Sequence, residues 1–441
     1  MSFGVRTDEI GLEAAELTVE VTSDPPQLMA QLAESGLFRD FVVYERPGEW
    51  TFAGGALGEV ALESQTVRTR WAGRPETVRP WSGRPAAALQ EAFAEAPWPA
   101  WNAYGWVAFE FSCPQALRSQ TRLAHLIVPR LQVRATVGRA VVTGTDAAEV
   151  EQVGRLLADP APRPAPVPSP VDVRTGDDYR ERVAKALEEI GAGLYQKVIV
   201  SRRLPIGFPV DVVGTFLAGR AANTPARSFL LDLDGFQATG FSPEVVAQTS
   251  ADGTVMTQPL AGTRAFGLDA DTDAARRREL ENDPKEIFEH AVSVRTSQQE
   301  LYRVCTPATV QVTGFMTVKE RGSVQHLGSS VHGRLAPGRT CWDAFEALFP
   351  AVTASGIPKP EAIEAITRLD EPRGLYSGAV LAVSHDGALD AALVLRALYQ
   401  QGGRAWLRAG AGIVTGSTPD REYEETCEKL SSVAPYVVPL R

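Results

Sequence analysis

Residues 179–202 read YRERVAKALEEIGAGLYQKVIVSR, and two periodicities meet within them. Val183, Leu187 and Ile190 recur at helical spacing and Gly191 closes the run, which predicts a helix from Tyr179 to Ile190. Tyr195 to Leu204 then alternates as a strand does. Within it, Val198 and Val200 face one side while Lys197 and Ile199 face the other. Phe229 to Leu233 and Ala391 to Tyr399 also read as strands, and so, upstream, do Asp40 to Val43, Ala103 to Phe111 and Arg130 to Thr143. Two further helices carry sharp start signals. One opens at Asp283-Pro284, with Glu286 completing a capping box and Ile287, Ala291, Val294 and Leu301 along its apolar face. The other opens at Thr418-Pro419 and runs through Leu430. This mixture predicts an α+β body with extensive antiparallel sheet.

Composition sets the outer bounds. The chain has 441 residues, 44% hydrophobic and 22% charged, so a sizeable core is available. A net charge of −10 argues against nucleic acid as a partner. No stretch of eighteen apolar residues occurs, so no membrane span is expected, and the first residues do not read as a signal peptide. Cys113, Cys305, Cys341 and Cys427 form no closely spaced pair. They are expected to be buried thiols in a cytoplasmic protein.

The segment 159–170 (DPAPRPAPVPSP) holds six prolines and cannot be helix or central strand. It divides residues 1–158 from residues 171–441, either as a linker between domains or as a loop on one body. The first part carries Trp50, Trp71, Trp81, Trp98, Trp101 and Trp106 but no chemical constellation. A packing layer is expected there.

Chemistry-bearing residues concentrate in the second part. Glu286 and Glu289 share one helix face, as do Glu422 and Glu425, with Lys429 continuing the second stripe. Oxygen-only ligands suit a hard cation, though such pairs are most often solvated helix surface. Lys197 sits in an apolar strand, where it is either a desolvated base or an edge residue reaching water. Arg396 lies in the apolar run Leu393 to Leu398, where an arginine usually meets a carboxylate of the protein or of a ligand. Glu244 follows Gly240-Phe-Ser-Pro243 at a strand end, and His326 stands alone. The glycine-bearing turns at 260–264, 374–378 and 408–412 could admit an anion or be tight turns only. Neither nucleotide-binding fingerprint is present, and no G-x-S-x-G.

Taken together, nine strings resemble the chorismate-utilising enzymes, and within them the salicylate-forming branch. They are YQKVIVSR from Tyr195, GFSPE from Gly240, PLAGTR from Pro259, NDPKEIFEH from Asn282 and FMTVKERGSVQHLGS from Phe315. ALFPAVTASGIPK from Ala347, RGLYSGAV from Arg373, LRAGAGIV from Leu407 and EYEETCEKL from Glu422 complete the set. The likeness is dense from about Tyr179 onward and loose before it. It implies one α+β body of two large packed antiparallel sheets flanked by helices, with residues 1–158 part of that body.

The resemblance also implies roles. Lys197 matches a general base that activates water for attack at C2 of chorismate, and Glu244 a general acid that protonates the departing C4 hydroxyl. Glu289 and Glu425 match ligands of Mg2+, with Glu286 and Glu422 beside them. Tyr376 and Arg396 match residues that grip the pyruvyl carboxylate. Gly262, Thr263, Gly410 and Lys429 match positions around the ring and its carboxylate. His326 and Thr353 match positions of the second stage, in which isochorismate loses pyruvate by a pericyclic hydrogen transfer. That step needs a bound conformation rather than a side-chain base, so His326 is given a shaping role.

Position 197 separates the branches. Relatives that use ammonia carry glutamine there, whereas water must be deprotonated. Ala261 stands where aminodeoxychorismate-forming relatives place a nucleophilic lysine. Lys197 and Ala261 therefore imply hydroxylation without a glutaminase subunit, and PAVTASGIPK favours salicylate over isochorismate as the end product. Gln258 departs from the glutamate that relatives often carry before PLAGTR. A monomer is expected. The alternatives are an enzyme that stops at isochorismate and a silent chorismate-binding homologue.

Overall fold

The computed structural model describes all residues except 1, 8–12, 117–120, 161–162, 177, 268 and 322–323. Every strand pairing among them is antiparallel, and the pairings join the strands into one hydrogen-bonded network. Two long strands, Glu49–Glu63 and Arg122–Thr136, hold that network together. Their register slips between Ala56 and Gly58. On one side of the slip the sheet continues through Phe41–Arg46, Arg227–Leu233, Phe236–Ser242, Ala397–Gln401 and Arg404–Val414 to Lys197–Ile206. On the other side it continues through Asn102–Val107, Ala379–Ser384, Leu389–Leu393, Val245–Thr249 and Thr254–Thr257 to Val324–Arg334.

Period-two alternation lets these two leaves share a core. Val42, Tyr44, Phe229, Leu231 and Tyr399 of the first leaf pack against Tyr104, Trp106, Val380 and Ala392 of the second. The residues between them in sequence point outward under helices. Val43 and Leu230 lie with Leu28 and Phe216 of the helices Pro25–Glu34 and Val212–Ala222. Ala103, Val107 and Leu381 lie with Phe93 and Phe345. Tryptophan serves this packing: Phe93 stacks on Trp101 at 4.7 Å and on Trp342 at 5.9 Å, and Trp71 meets Phe93 edge-on at 6.2 Å.

The proline-rich stretch lies along this body, with residues 161 and 162 outside the described set. Arg163 pairs with Glu34 and Asp211, and the Ser169 amide donates to the Val437 carbonyl. Among the described residues no helix is long and apolar enough to cross a membrane, and the four cysteines form no disulfide.

The helix Tyr179–Gly191, the strand Lys197–Ile206 and the helix Pro419–Leu430 lie where the periodicities put them. Five expectations need correction. Ala391 to Tyr399 is two strands, broken at Val394–Arg396, where Arg396 takes a left-handed φ of 51° as the chain changes leaf. Ala103 to Phe111 leaves the sheet at Val107 and turns into the 3-10 helix Phe109–Ser112. Arg130 to Thr143 is a hairpin turning at Val137–Gly138. In the helix Pro284–Tyr302, Ile287 and Ala291 are only half-buried, while the covered face includes His290, Ser293, Ser297 and Glu300. Glu286 also leaves its capping box half-made: Asp283 accepts from the Lys285 and Glu286 amides, but the Glu286 carboxylate turns to Arg264.

Candidate active site

The strand Lys197–Ile206 pairs with Arg404–Val414, setting Lys197 opposite Val414 and Ser201 opposite Gly410. Lys197 is 4% exposed, so it is not an edge lysine with its head in water. Its Nζ lies 2.5 Å from Glu289 Oε1, on the helix Pro284–Tyr302. Gly412 leaves room for this pair, since a Cβ there would stand 3.2 Å from Lys197 Cε and 3.5 Å from Glu289 Oε1.

Glu244 follows the strand Phe236–Ser242 and is buried. Thr353 Oγ1 donates to its Oε1 at 2.7 Å, and the Leu260 amide to its Oε2 at 3.3 Å. Burial pushes this carboxyl up to about 8, against the smaller opposing effects of those hydrogen bonds and of the Lys197 charge. Glu244 therefore keeps its proton at neutral pH, within electrostatic reach of Lys197.

His326 lies on Val324–Arg334, with Nδ1 3.0 Å from Thr263 Oγ1 and 3.3 Å from the Gly262 carbonyl. Its Nε2 is 2.8 Å from Arg396 Nη2. A guanidinium only donates, so Nε2 accepts and the ring proton sits on Nδ1. Burial, then the charges of Arg396 and Lys429, hold the imidazole well below its usual range, and it is neutral. Arg396 itself is half-buried; desolvation and neighbouring Arg321 lower it to about 10.

Gly262 adopts φ of 80° where its strand slips register between Ala261 and Thr263. A Cβ at Gly262 would lie 3.1 Å from Glu286 Oε2. At Gly410 a Cβ would stand 2.7 Å from the Val200 carbonyl and 2.8 Å from the Tyr376 hydroxyl, so only glycine fits. Lys429 donates to the Gly410 carbonyl at 2.9 Å and pairs with Glu425 at 2.8 Å.

The four glutamates stand on the two helices that flank this strand pair, and Lys429 reaches electrostatically to both Glu425 and Glu289. Among the described residues no three acidic, histidine or cysteine side chains are close enough to share one ion. Glu286, Glu289 and Glu425 are each drawn instead to a cation: Arg264 at 3.1 Å, Lys197 at 2.5 Å and Lys429 at 2.8 Å. Burial raises Glu286, and Lys197 holds Glu289 below its ordinary range despite burial. Glu422 is 1% exposed, raised by burial and by the Glu425 charge, and its Oε2 has no hydrogen-bond partner. The orphaned, buried oxygen of Glu422, with the Glu425 charge within electrostatic reach, has the donor chemistry of a hard divalent cation.

Thr353, matched from sequence to the second stage, bonds the carboxyl of Glu244 directly. Two further features were not singled out from sequence. Arg264, inside PLAGTR, gathers Glu279, Asp283 and Glu286. Behind Tyr376, Asp370 binds Arg373 at 2.7 Å and Ser201 Oγ at 2.6 Å, while Arg373 reaches the Ile199 and Ala354 carbonyls. Arg373 and Arg408 lie over the Tyr376 ring at 5.7 and 5.5 Å. Arg264 in PLAGTR, Arg373 in RGLYSGAV and Arg408 in LRAGAGIV were the available signals.

Known proteins share this arrangement of strands. The chain is 49% identical to a salicylate synthase of Mycolicibacterium paratuberculosis, over 98% of each chain. It superposes on anthranilate synthase component I of Streptococcus pneumoniae with a TM-score of 0.74 and 26% identity, covering 89% of this chain and 92% of that one. The menaquinone-specific isochorismate synthase of Escherichia coli gives the same TM-score at 20% identity, over 96% and 95% of the chains, and so shares the fold. With the family model for chorismate binding enzymes matching residues 39–435, the chain belongs to that family.

Proposed function

We propose that the chain converts chorismate, through isochorismate, to salicylate and pyruvate. One observation carries the reading: a buried carboxyl that keeps its proton, Glu244, shares a site with an amine, Lys197, seated on a carboxylate. A proton donor and a group able to accept one thus lie within electrostatic reach of each other. The near full-length likeness to a salicylate synthase supports the same end product.

In the first stage Lys197, once its ammonium has released a proton to solvent, takes a proton from water as the water oxygen bonds to C2. Glu289 stabilises the ammonium that results. The ring double bonds shift, and the C4 oxygen leaves as water with the proton of Glu244. Thr353 and the Leu260 amide hold that carboxyl in place. In the second stage hydrogen passes from C2 to the side-chain methylene, the C3–oxygen bond breaks, and pyruvate leaves an aromatic ring. Neutral His326, fixed by Arg396 and Gly262, shapes the pocket without taking the proton. Glu286, Glu289, Glu422 and Glu425 would hold Mg2+, which when bound neutralises the ring carboxylate. Tyr376 and Arg396 receive the pyruvyl carboxylate. Water as nucleophile makes an ammonia-supplying subunit unnecessary.

The test is incubation of the purified chain with chorismate and Mg2+, followed by chromatography. Salicylate with equimolar pyruvate is expected. Accumulating isochorismate without pyruvate removes the second stage.

A further inference from the structure

Among the described residues, two neighbouring cations of the site form no ion pair. Arg396 donates to His326 Nε2 and, at 3.1 Å, to the Arg321 carbonyl. Arg321, at the end of the strand Gln311–Arg321, donates to the carbonyls of Pro243 at 3.3 Å and Glu320 at 3.0 Å. The Arg321 guanidinium thus stands at the turn that carries Glu244, and the Arg396 guanidinium against the Arg321 backbone. Among the described residues no carboxylate forms an ion pair with either.

Three buried arginines elsewhere in the fold do meet carboxylates. Arg227 meets Asp390 at 2.7 Å, Arg373 meets Asp370 at 2.7 Å, and Arg408 lies 3.7 Å from the same carboxylate. The other site cations are matched as well: Lys197 with Glu289, Lys429 with Glu425, Arg264 with Glu286. When these pairs are set aside, Arg321 and Arg396 remain in excess beside a neutral imidazole. Holding two half-buried guanidinium groups close together without a counter-charge is unfavourable, through partial loss of hydration and through mutual repulsion. The arrangement is that of a binding site whose anion comes with the ligand.

We propose that Arg321 is a substrate-binding residue that completes, with Arg396, a two-guanidinium seat for the enolpyruvyl carboxylate. The inference rests on the chorismate reading above. Chorismate carries two carboxylates, and the glutamate pairs with Lys429 form the other flank of the site, where the ring carboxylate belongs. The second carboxylate then falls to the two arginines. Isochorismate keeps that side chain and is held in the same way. Salicylate has lost it and no longer engages the seat.

Steady-state kinetics with chorismate and with isochorismate, plus inhibition by salicylate, test this on wild type, Arg321→Gln and Arg321→Lys. Arg321→Gln is expected to raise KM for both substrates about 10- to 100-fold, the worth of one charge-assisted hydrogen bond, with a smaller fall in kcat. Arg321→Lys recovers part of the loss. Salicylate inhibits all three proteins within about twofold of one another, which also shows that the pocket is intact. An unchanged KM in Arg321→Gln, or salicylate inhibition weakened by the same factor as KM, overturns the proposal. A wild-type protein that consumes neither substrate overturns the functional reading, and this inference with it.

Discussion

Lys197 Nζ and Glu289 Oε1 stand 2.5 Å apart, across a strand-to-helix contact 92 residues long in sequence. The contact joins the proposed base to a proposed metal ligand. Glu289 gives a stable partner to the ammonium formed when water surrenders its proton, and Lys197 keeps the carboxylate ionised in a buried place.

Lys197→Gln is expected to lower turnover of chorismate by about 10²- to 10⁴-fold, the usual worth of a general base. Isochorismate supplied directly still yields salicylate, because hydrogen transfer within the ring substrate needs no amine. Parallel assays with the two substrates check this. An equal loss with both removes Lys197 from the first stage.

Glu244 sets a pH dependence. As the acid it must be protonated, so kcat/KM falls as pH rises through about 8. The same residue affects stability. Its folded value lies above the ordinary 4.5, so its contribution is complete below that value and is lost as pH rises through about 8. Glu244→Gln should lose most activity and flatten the melting temperature between about pH 5 and pH 9. A variant whose melting profile follows wild type across that window contradicts the assignment.

The two glutamate pairs predict a metal titration. Glu422→Gln and Glu425→Gln are each expected to weaken Mn2+ binding, read by electron paramagnetic resonance, by about tenfold or more. The readout does not depend on turnover. Binding curves that superpose on wild type exclude the residue concerned.

Asp370 anchors the layer behind Tyr376. It is 1% exposed on its side chain and serves Arg373, Arg182 and Ser201. Asp370→Asn leaves two buried guanidinium groups, Arg373 and Arg408, without their carboxylate. A loss of about 3–5 kcal/mol in urea unfolding is expected. A loss below about 1 kcal/mol places the network at the level of a surface ion pair.

How much of this was legible depends on the range of the interactions. The helix Tyr179–Gly191 and the strand after it are local patterns, and three periodic apolar residues with a closing glycine suffice to see them. Arg396 shows the opposite case. Its left-handed backbone breaks an otherwise apolar run because the chain must pass between leaves there, and nothing local signals that passage. The helix Pro284–Tyr302 was misread for a related reason. Part of its covered face meets polar groups, as when His290 meets Ser329 at 2.7 Å, so an apolar stripe is the wrong signature. The candidate site residues were legible as residue types within short motifs, but not as partners. Thr353 and Glu244 are 109 positions apart, and their hydrogen bond exists only once both leaves are closed.

The most direct test of the account uses isotopic water. Chorismate turned over with Mg2+ in water enriched in oxygen-18 should give salicylate carrying one heavy oxygen, in its phenolic hydroxyl, since that atom enters from solvent at C2 and is not lost again. Salicylate formed without the label, or labelled isochorismate that never proceeds to salicylate, contradicts it.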